Sequence, residues 1–250
     1  MSIELFDVQC GFGGITAGDP AVVSAEALLR EMGRLHISAA LTRRVPDDLL
    51  ADVPASNAVL YAARDEHPSL IPCPVVVPSR GGPLPPEHAQ VAAHVAQGCG
   101  AVSIRPAKDY WDLAPWVCHR MFDVLQERHM PVYCLESEVG LIQVGELAGR
   151  FPSLPIIVAG VHYRQQRILL PLLETFPGVH LSLGNCYTIH RGIEEMVAKV
   201  GPERLLFGTG FPESEPMTAI TQLMYADLSD DDRRLIGAAN LRRLISEVAR

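Results

Sequence analysis

Short apolar runs alternate along this chain with longer stretches in which apolar residues recur every three or four positions. The first run, Ile3–Cys10, ends at Gly11-Phe12-Gly13-Gly14 and predicts a strand. Helical spacing over Ala21–Met32, closed by Gly33, predicts the helix that follows. His36–Thr42 reads as a second strand, and Asp47–Arg64 as helical pieces broken around Pro54. Pro72–Pro78, with Val75-Val76-Val77, predicts the third strand. Prolines open and Gly98 closes a helix over Pro85–Gln97. Strands are then expected at Ala101–Arg105, Pro131–Leu135, Pro155–Ala159, Val179–Leu183 and Arg204–Phe207. Between them lie helical patterns at Leu113–Arg128, Gly140–Arg150, Gln165–Phe176 (interrupted by Pro171) and Arg191–Val200. Thr218–Tyr225 and Asp230–Ala249 close the chain as helices, the second capped by Ser229 ahead of Asp230, Asp231 and Asp232.

Eight strand–helix units in 250 residues predict an α/β fold, a single-domain (β/α)8 TIM barrel over residues 1–250, rather than an open doubly wound sheet. Nearly all-apolar strands suit parallel strands covered by helices. No GxGxxG follows a strand and no GxxxxGK[ST] occurs, so nothing local supports a dinucleotide or P-loop site.

Composition narrows the function. Apolar residues make up 48% and charged residues 20%, as in soluble globular chains. The 29 acidic and 21 basic residues give a formal charge of −8, which argues against a nucleic-acid partner. No apolar run reaches the roughly 18–20 residues of a membrane span. The early acids of MSIELFDVQCGFGG do not resemble a signal peptide. Cys10, Cys73, Cys99, Cys118, Cys134 and Cys186 form no CxxC pair and read as reduced, mostly buried thiols, so the expected compartment is the cytoplasm.

Function in such a barrel sits at the C-terminal ends of the strands. Those ends carry Gln9-Cys10-Gly11, Thr42, Pro78-Ser79-Arg80, Arg105-Pro106, Leu135-Glu136-Ser137, Gly160-Val161-His162, Gly184-Asn185-Cys186 and Gly208-Thr209-Gly210. A hydrolytic zinc site needs about three convergent His, Asp, Glu or Cys ligands and an open position. Here there is one carboxylate, Glu136, one imidazole, His162, and scattered thiols.

Several segments resemble the amidohydrolase-related group of the metal-dependent hydrolases, barrel enzymes that include decarboxylases and lactonases. Asp7–Gly13 resembles its opening D-x-H-x-H-x-G strand, and Arg128–Leu135 its glPv..H strand. Phe151–Gly160 resembles fP.l.ivlaH. GPERLLFGTGFP, Gly201–Pro212, resembles G.dRilfGSDyP, and Ala239–Leu244 the terminal gNa.rl helix. The resemblance implies five metal ligands. Position by position they fall on Gln9, Gly11, Leu135, Gly160 and Gly210. Glycine and leucine offer no ligand atom and a carboxamide only a weak one, so no metal and no cofactor are expected.

Arg105, turned inward, would hold a carboxylate or phosphate bidentately. Turned outward, it pairs with Asp109 or Glu136. Glu136 and His162 lie one and two positions beyond inferred ligands and form either an acid/base pair, a relocated partial metal site, or plain rim residues. Gln9, Tyr163, Asn185 and Thr209 either bind a ligand or satisfy buried backbone groups. Cys10 and Cys134 neighbour inward positions and are expected to face the helices.

The resulting expectation is a family member without its metal site. It binds a small polar or anionic metabolite in the barrel mouth through Gln9, Arg105, Tyr163, Asn185 and Thr209, or acts as an interaction partner. The alternative is an active hydrolase or decarboxylase using relocated ligands, or metal-free catalysis by Glu136, His162 and Arg105. Neither nucleic acid nor membrane is an expected partner. A homo-oligomer is left open.

Overall fold

The apolar runs form eight parallel strands separated by helices, in a computed structural model that describes residues 3–13, 23–45, 52–79, 84–184 and 186–249. β1 (Phe6–Phe12), β2 (Ala39–Arg44) and β3 (Leu70–Pro72) pair in chain order. So do β4 (Val102–Ser103), β5 (Val132–Leu135), β6 (Ile156–Ala159), β7 (Val179–Ser182) and β8 (Leu205–Leu206). A parallel bridge between Val75 and Ser103 joins the two sets. At the other seam the Val8 N–H donates to the Phe207 carbonyl (2.9 Å), and the Gly210 N–H to that of Gln9 (2.6 Å). These bonds close a (β/α)8 barrel, as the strand–helix alternation predicted.

The covering helices are α1 (Ala25–Arg34), α2 (Val53–Glu66), α3 (Glu87–Ala96), α4 (Pro115–Glu127), the single turn α5 (Glu136–Val139), α6 (Leu141–Arg150), α7 (Gln166–Thr175), α8 (Gly192–Val200), α9 (Met217–Tyr225), α10 (Asp230–Arg234) and α11 (Asn240–Ser246). Phe6, Val8, Leu41, Cys73, Tyr133, Ile157 and Leu206 fill the barrel interior, and Leu241 and Leu244 of α11 pack against the same cluster. Cys10 and Cys134 belong instead to the layer between strands and helices. The six cysteines are free thiols, five of them buried. Among the described residues no helix is long and apolar enough to cross a membrane.

Four local expectations change. The third strand runs Leu70–Pro72, with only a bridge at Val75. Pro72 and Pro74 have no N–H to give the ladder. Beyond them Asn57 of α2 acts as a surrogate strand, its Nδ2 donating to the Val75 carbonyl and its Oδ1 accepting the Val75 N–H, both at 2.8 Å. Pro54 does not break a helix but lies in the first turn of α2, where its missing N–H costs nothing; Asp52 caps that turn by accepting the Ala55 N–H. The C-terminal helix is divided by a π-helical turn, Leu235–Ala239. There the Ile236 carbonyl accepts the Phe207 N–H (2.9 Å), and Gly237 packs so near the Glu4 carbonyl that a Cβ would come within 2.5 Å. Finally, β2 extends past Thr42 to Arg44, which brings two arginines to the C-terminal end of the barrel.

Candidate functional site

The five positions that the family pattern singles out gather at the strand ends. Gln9, Gly11 and Gly210 are tied by backbone bonds across the β1–β8 seam; the Gly11 N–H donates to Phe211 (3.0 Å) beside the Gly210–Gln9 bond. Leu135 and Gly160 are neighbours across β5 and β6, and a Cβ on Gly160 would touch Leu135 at 3.7 Å.

Under this rim lies a buried polar knot that the sequence did not announce. Asp7 Oδ1 accepts the N–H groups of Gln9 (2.8 Å) and Thr209 (3.0 Å), while Oδ2 accepts the Thr209 hydroxyl (2.5 Å). Thr209 Oγ1 in turn accepts the Phe211 N–H (3.1 Å), and the Ser182 hydroxyl donates to Gln9 Oε1 (2.8 Å). Capturing the Gln9 N–H takes that donor out of the ladder, and the register of β1 against β2 shifts between Asp7 and Cys10. Burial pushes the Asp7 carboxyl above its ordinary range, against the pull of those donors. Gln9 and Thr209 thus satisfy buried groups. A Cβ on Gly208 would come within 2.8 Å of the Gln9 Cβ, so the knot also requires the glycine.

Beside the knot the mouth is cationic. Arg43 and Arg44 at the end of β2, Arg105 and Lys108 after β4, Leu135, Glu138 and Glu213 line one cavity of about 30 Å³. The Arg43 guanidinium stands over the Tyr133 ring, 4.4 Å from its centroid. Arg43 Nε, Arg44 Nε and the Tyr133 hydroxyl are buried donors without a hydrogen-bond partner. Arg105, expected as an anion ligand or an Asp109 partner, both lines this cavity and holds Asp109 with two bonds (3.1 and 2.8 Å). Sequence reading missed Arg43, Arg44, Lys108, Glu138 and Glu213. The usable signal for the first two was the strand boundary, set two residues early.

The remaining candidates form a second grouping on the rim. The Glu136 carboxylate accepts the Gln165 amide (2.5 Å), and the same amide's oxygen accepts the His162 N–H (3.1 Å). The exposed His162 imidazole is turned to its own turn, accepting the Arg164 N–H through Nδ1 (3.2 Å) and lying 4.3 Å from the Tyr163 ring centroid. Asn185 lies outside the described residues. Among the described residues, the one trio of ligand-type side chains within reach of a shared ion is Glu26, Glu66 and His67, on α1 and the end of α2.

The family motifs that survive have structural work. Arg204 of GPERLLFGTGFP donates to the Leu173, Phe176 and Val179 carbonyls, and Asn240 to those of Pro202 and Leu205 (2.8 and 2.9 Å).

Comparison with known proteins agrees with this architecture. The amidohydrolase family model matches residues 19–245. No curated protein matches the chain. Among solved structures, a 2,6-dihydroxybenzoate decarboxylase from Rhizobium is similar at 14% identity and a TM-score of 0.77, over 98% of this chain and 99% of that one. A 5-carboxyvanillate decarboxylase from Novosphingobium aromaticivorans, solved with manganese, gives 12% and 0.77 over 98% and 96%. An uncharacterized barrel protein from Bordetella bronchiseptica gives 15% and 0.75 over 99% and 100%.

Proposed function

The chain belongs to the amidohydrolase family, and from that premise we propose that it is a metal-independent member whose barrel mouth binds a small anionic metabolite. The observation that carries this reading is the cationic cavity. Arg43, Arg44, Arg105 and Lys108 face it with Glu138 and Glu213 as the opposing charges, and two of the arginines keep buried Nε donors unpaired. A carboxylate or phosphate would accept those donors in charge-assisted bonds. At about 30 Å³ the space holds roughly one water. A ligand larger than a water must therefore shift the lining side chains, Glu213 and Glu138 first, because they repel an anion.

The donor chemistry supports the metal-independent part. The five inferred ligand positions supply one carboxamide oxygen, that of Gln9, already accepting the Ser182 hydroxyl. The nearby Asp7 carboxylate is taken by three donors. A divalent cation does not fit this set, since nothing offsets its dehydration. Similarity to decarboxylases of aromatic acids makes benzoate a natural probe alongside inorganic phosphate. Calorimetric titration with each should give saturable binding that weakens about tenfold or more in Arg43→Gln, the loss of one charge-assisted contact. Stoichiometric zinc or manganese in protein purified without chelator, or binding of neither anion, overturns the reading.

One observation favours a second reading, an active hydrolase or decarboxylase. Gln165 links the Glu136 carboxylate to the His162 backbone on the same rim. That reading requires turnover of an aromatic acid that is lost in Glu136→Gln.

A further inference from the structure

A larger groove opens beside the mouth, between the loop that follows β4 and the α5–α6 pair, with a volume of about 740 Å³. That is the range of a small-molecule site. Trp111, Leu113 and Val139 give it apolar walls. Its charged lining is Asp112, Glu138 and Glu146 against Arg150 alone, so the groove is net acidic where the mouth is net basic. Glu138 borders both spaces, held by the Lys108 N–H at 3.2 Å. Arg150 clips the loop to α6 by donating to the Leu113 carbonyl (3.0 Å). Two buried donors of the lining, Trp111 Nε1 and Arg150 Nη1, have no acceptor. Asp112 accepts the Ala114 N–H through Oδ1 (2.7 Å). Glu146 is exposed on the groove side of α6.

We propose that this groove is a separate binding site for a small organic ammonium that also carries a carbonyl oxygen and an apolar body. Each part of that description answers a feature of the lining. The ammonium meets Glu138 and Glu146, and the face of Trp111 adds a cation–π contact. The carbonyl oxygen accepts from Trp111 Nε1 or Arg150 Nη1, the two lining donors that have no acceptor. The apolar body covers Leu113 and Val139. A simple anion is repelled by the carboxylates, which separates this site from the mouth. The inference does not rest on the anion-binding reading; of the residues it invokes only Glu138 also lines the mouth, and it calls on the opposite charge.

The chain supplies its own reporter. Trp111 and Trp116 are its two tryptophans, and Trp116 is 82% exposed at the start of α4. In Trp116→Phe, fluorescence therefore reports Trp111 alone. Titrating that variant with L-phenylalaninamide should give a saturable change. 3-Phenylpropanamide, which lacks the ammonium, should need about tenfold more, the worth of one ion pair with a cation–π contact. Glu146→Gln should weaken binding several-fold, while Arg43→Gln, with circular dichroism unchanged, leaves it as it is. Absence of a saturable signal overturns the proposal. So does equal binding of the two amides, or indifference to Glu146→Gln. Loss of benzoate and phosphate binding with the amide signal intact would end the mouth reading alone.

Discussion

Replacing Asp7 tests whether the knot under the rim is held by hydrogen bonding or by charge. Its carboxylate is buried and takes three donors: the Gln9 N–H, the Thr209 N–H and the Thr209 hydroxyl. In Asp7→Ala all three lose their acceptor, and a buried unsatisfied donor costs about 1–3 kcal/mol. Hydroxyl rotation relieves part of that, so the expected loss is about 3–6 kcal/mol, a large share of the ~5–15 kcal/mol that holds a typical domain together. Asp7→Asn keeps an oxygen for the two backbone donors and removes the charge that burial disfavours. Only the hydroxyl contact is mismatched, so the expected loss is about 1 kcal/mol or less. The pH dependence separates them further. A folded-state value raised above the ordinary carboxylate range means that the native protein holds the proton more tightly. The contribution is then full below that range and declines as pH rises through it to the folded value. Asp7→Asn should remove this decline. Urea denaturation at pH 7 and across pH 4–7 is the assay. Equal losses in the two variants would refute the reasoning, because the ionised charge would then be the stabilising element.

Two histidines, the half-buried His94 and the buried His180, should act in the opposite sense. Burial holds His94 down to about 4, and burial with the nearby Arg204 charge holds His180 at about 4. Both depress the folded value, so stability is complete above pH 6.5 and falls as pH drops towards 4, by no more than ~1.4 kcal/mol per pH unit for each. His94→Gln should flatten that slope in urea midpoints, and an unchanged slope removes His94 from the account. Gly208→Ala places a methyl against the Ser182 hydroxyl and within 2.8 Å of the Gln9 Cβ. It should cost about 1–3 kcal/mol by overpacking, read as a lowered Tm, and a neutral result would mean that the knot can move aside.

The alternation of apolar runs and helical spacing pointed to the barrel, because eight strand–helix units in 250 residues match a closed ring of parallel strands covered by helices. Ser229 capping its helix through the Asp232 N–H (3.0 Å) was equally legible, being chemistry between residues three apart. The identities of Gln9, Gly11, Leu135, Gly160 and Gly210 at the strand ends could also be read directly, being plain sequence. What the sequence could not convey were partnerships across the barrel. Asp7 and Thr209 are 202 positions apart, and Gln9 and Ser182 are 173 apart. Only closure of β8 onto β1 makes them neighbours. Arg43 and Arg44 were hidden by a strand end misplaced by two residues. Arg105 showed its sequence partner, Asp109, but not the cavity it shares with β2. Local patterns fix which elements form, because they depend on neighbours along the chain. The charge of a mouth built from several strand ends is decided by how the strands are registered around the barrel.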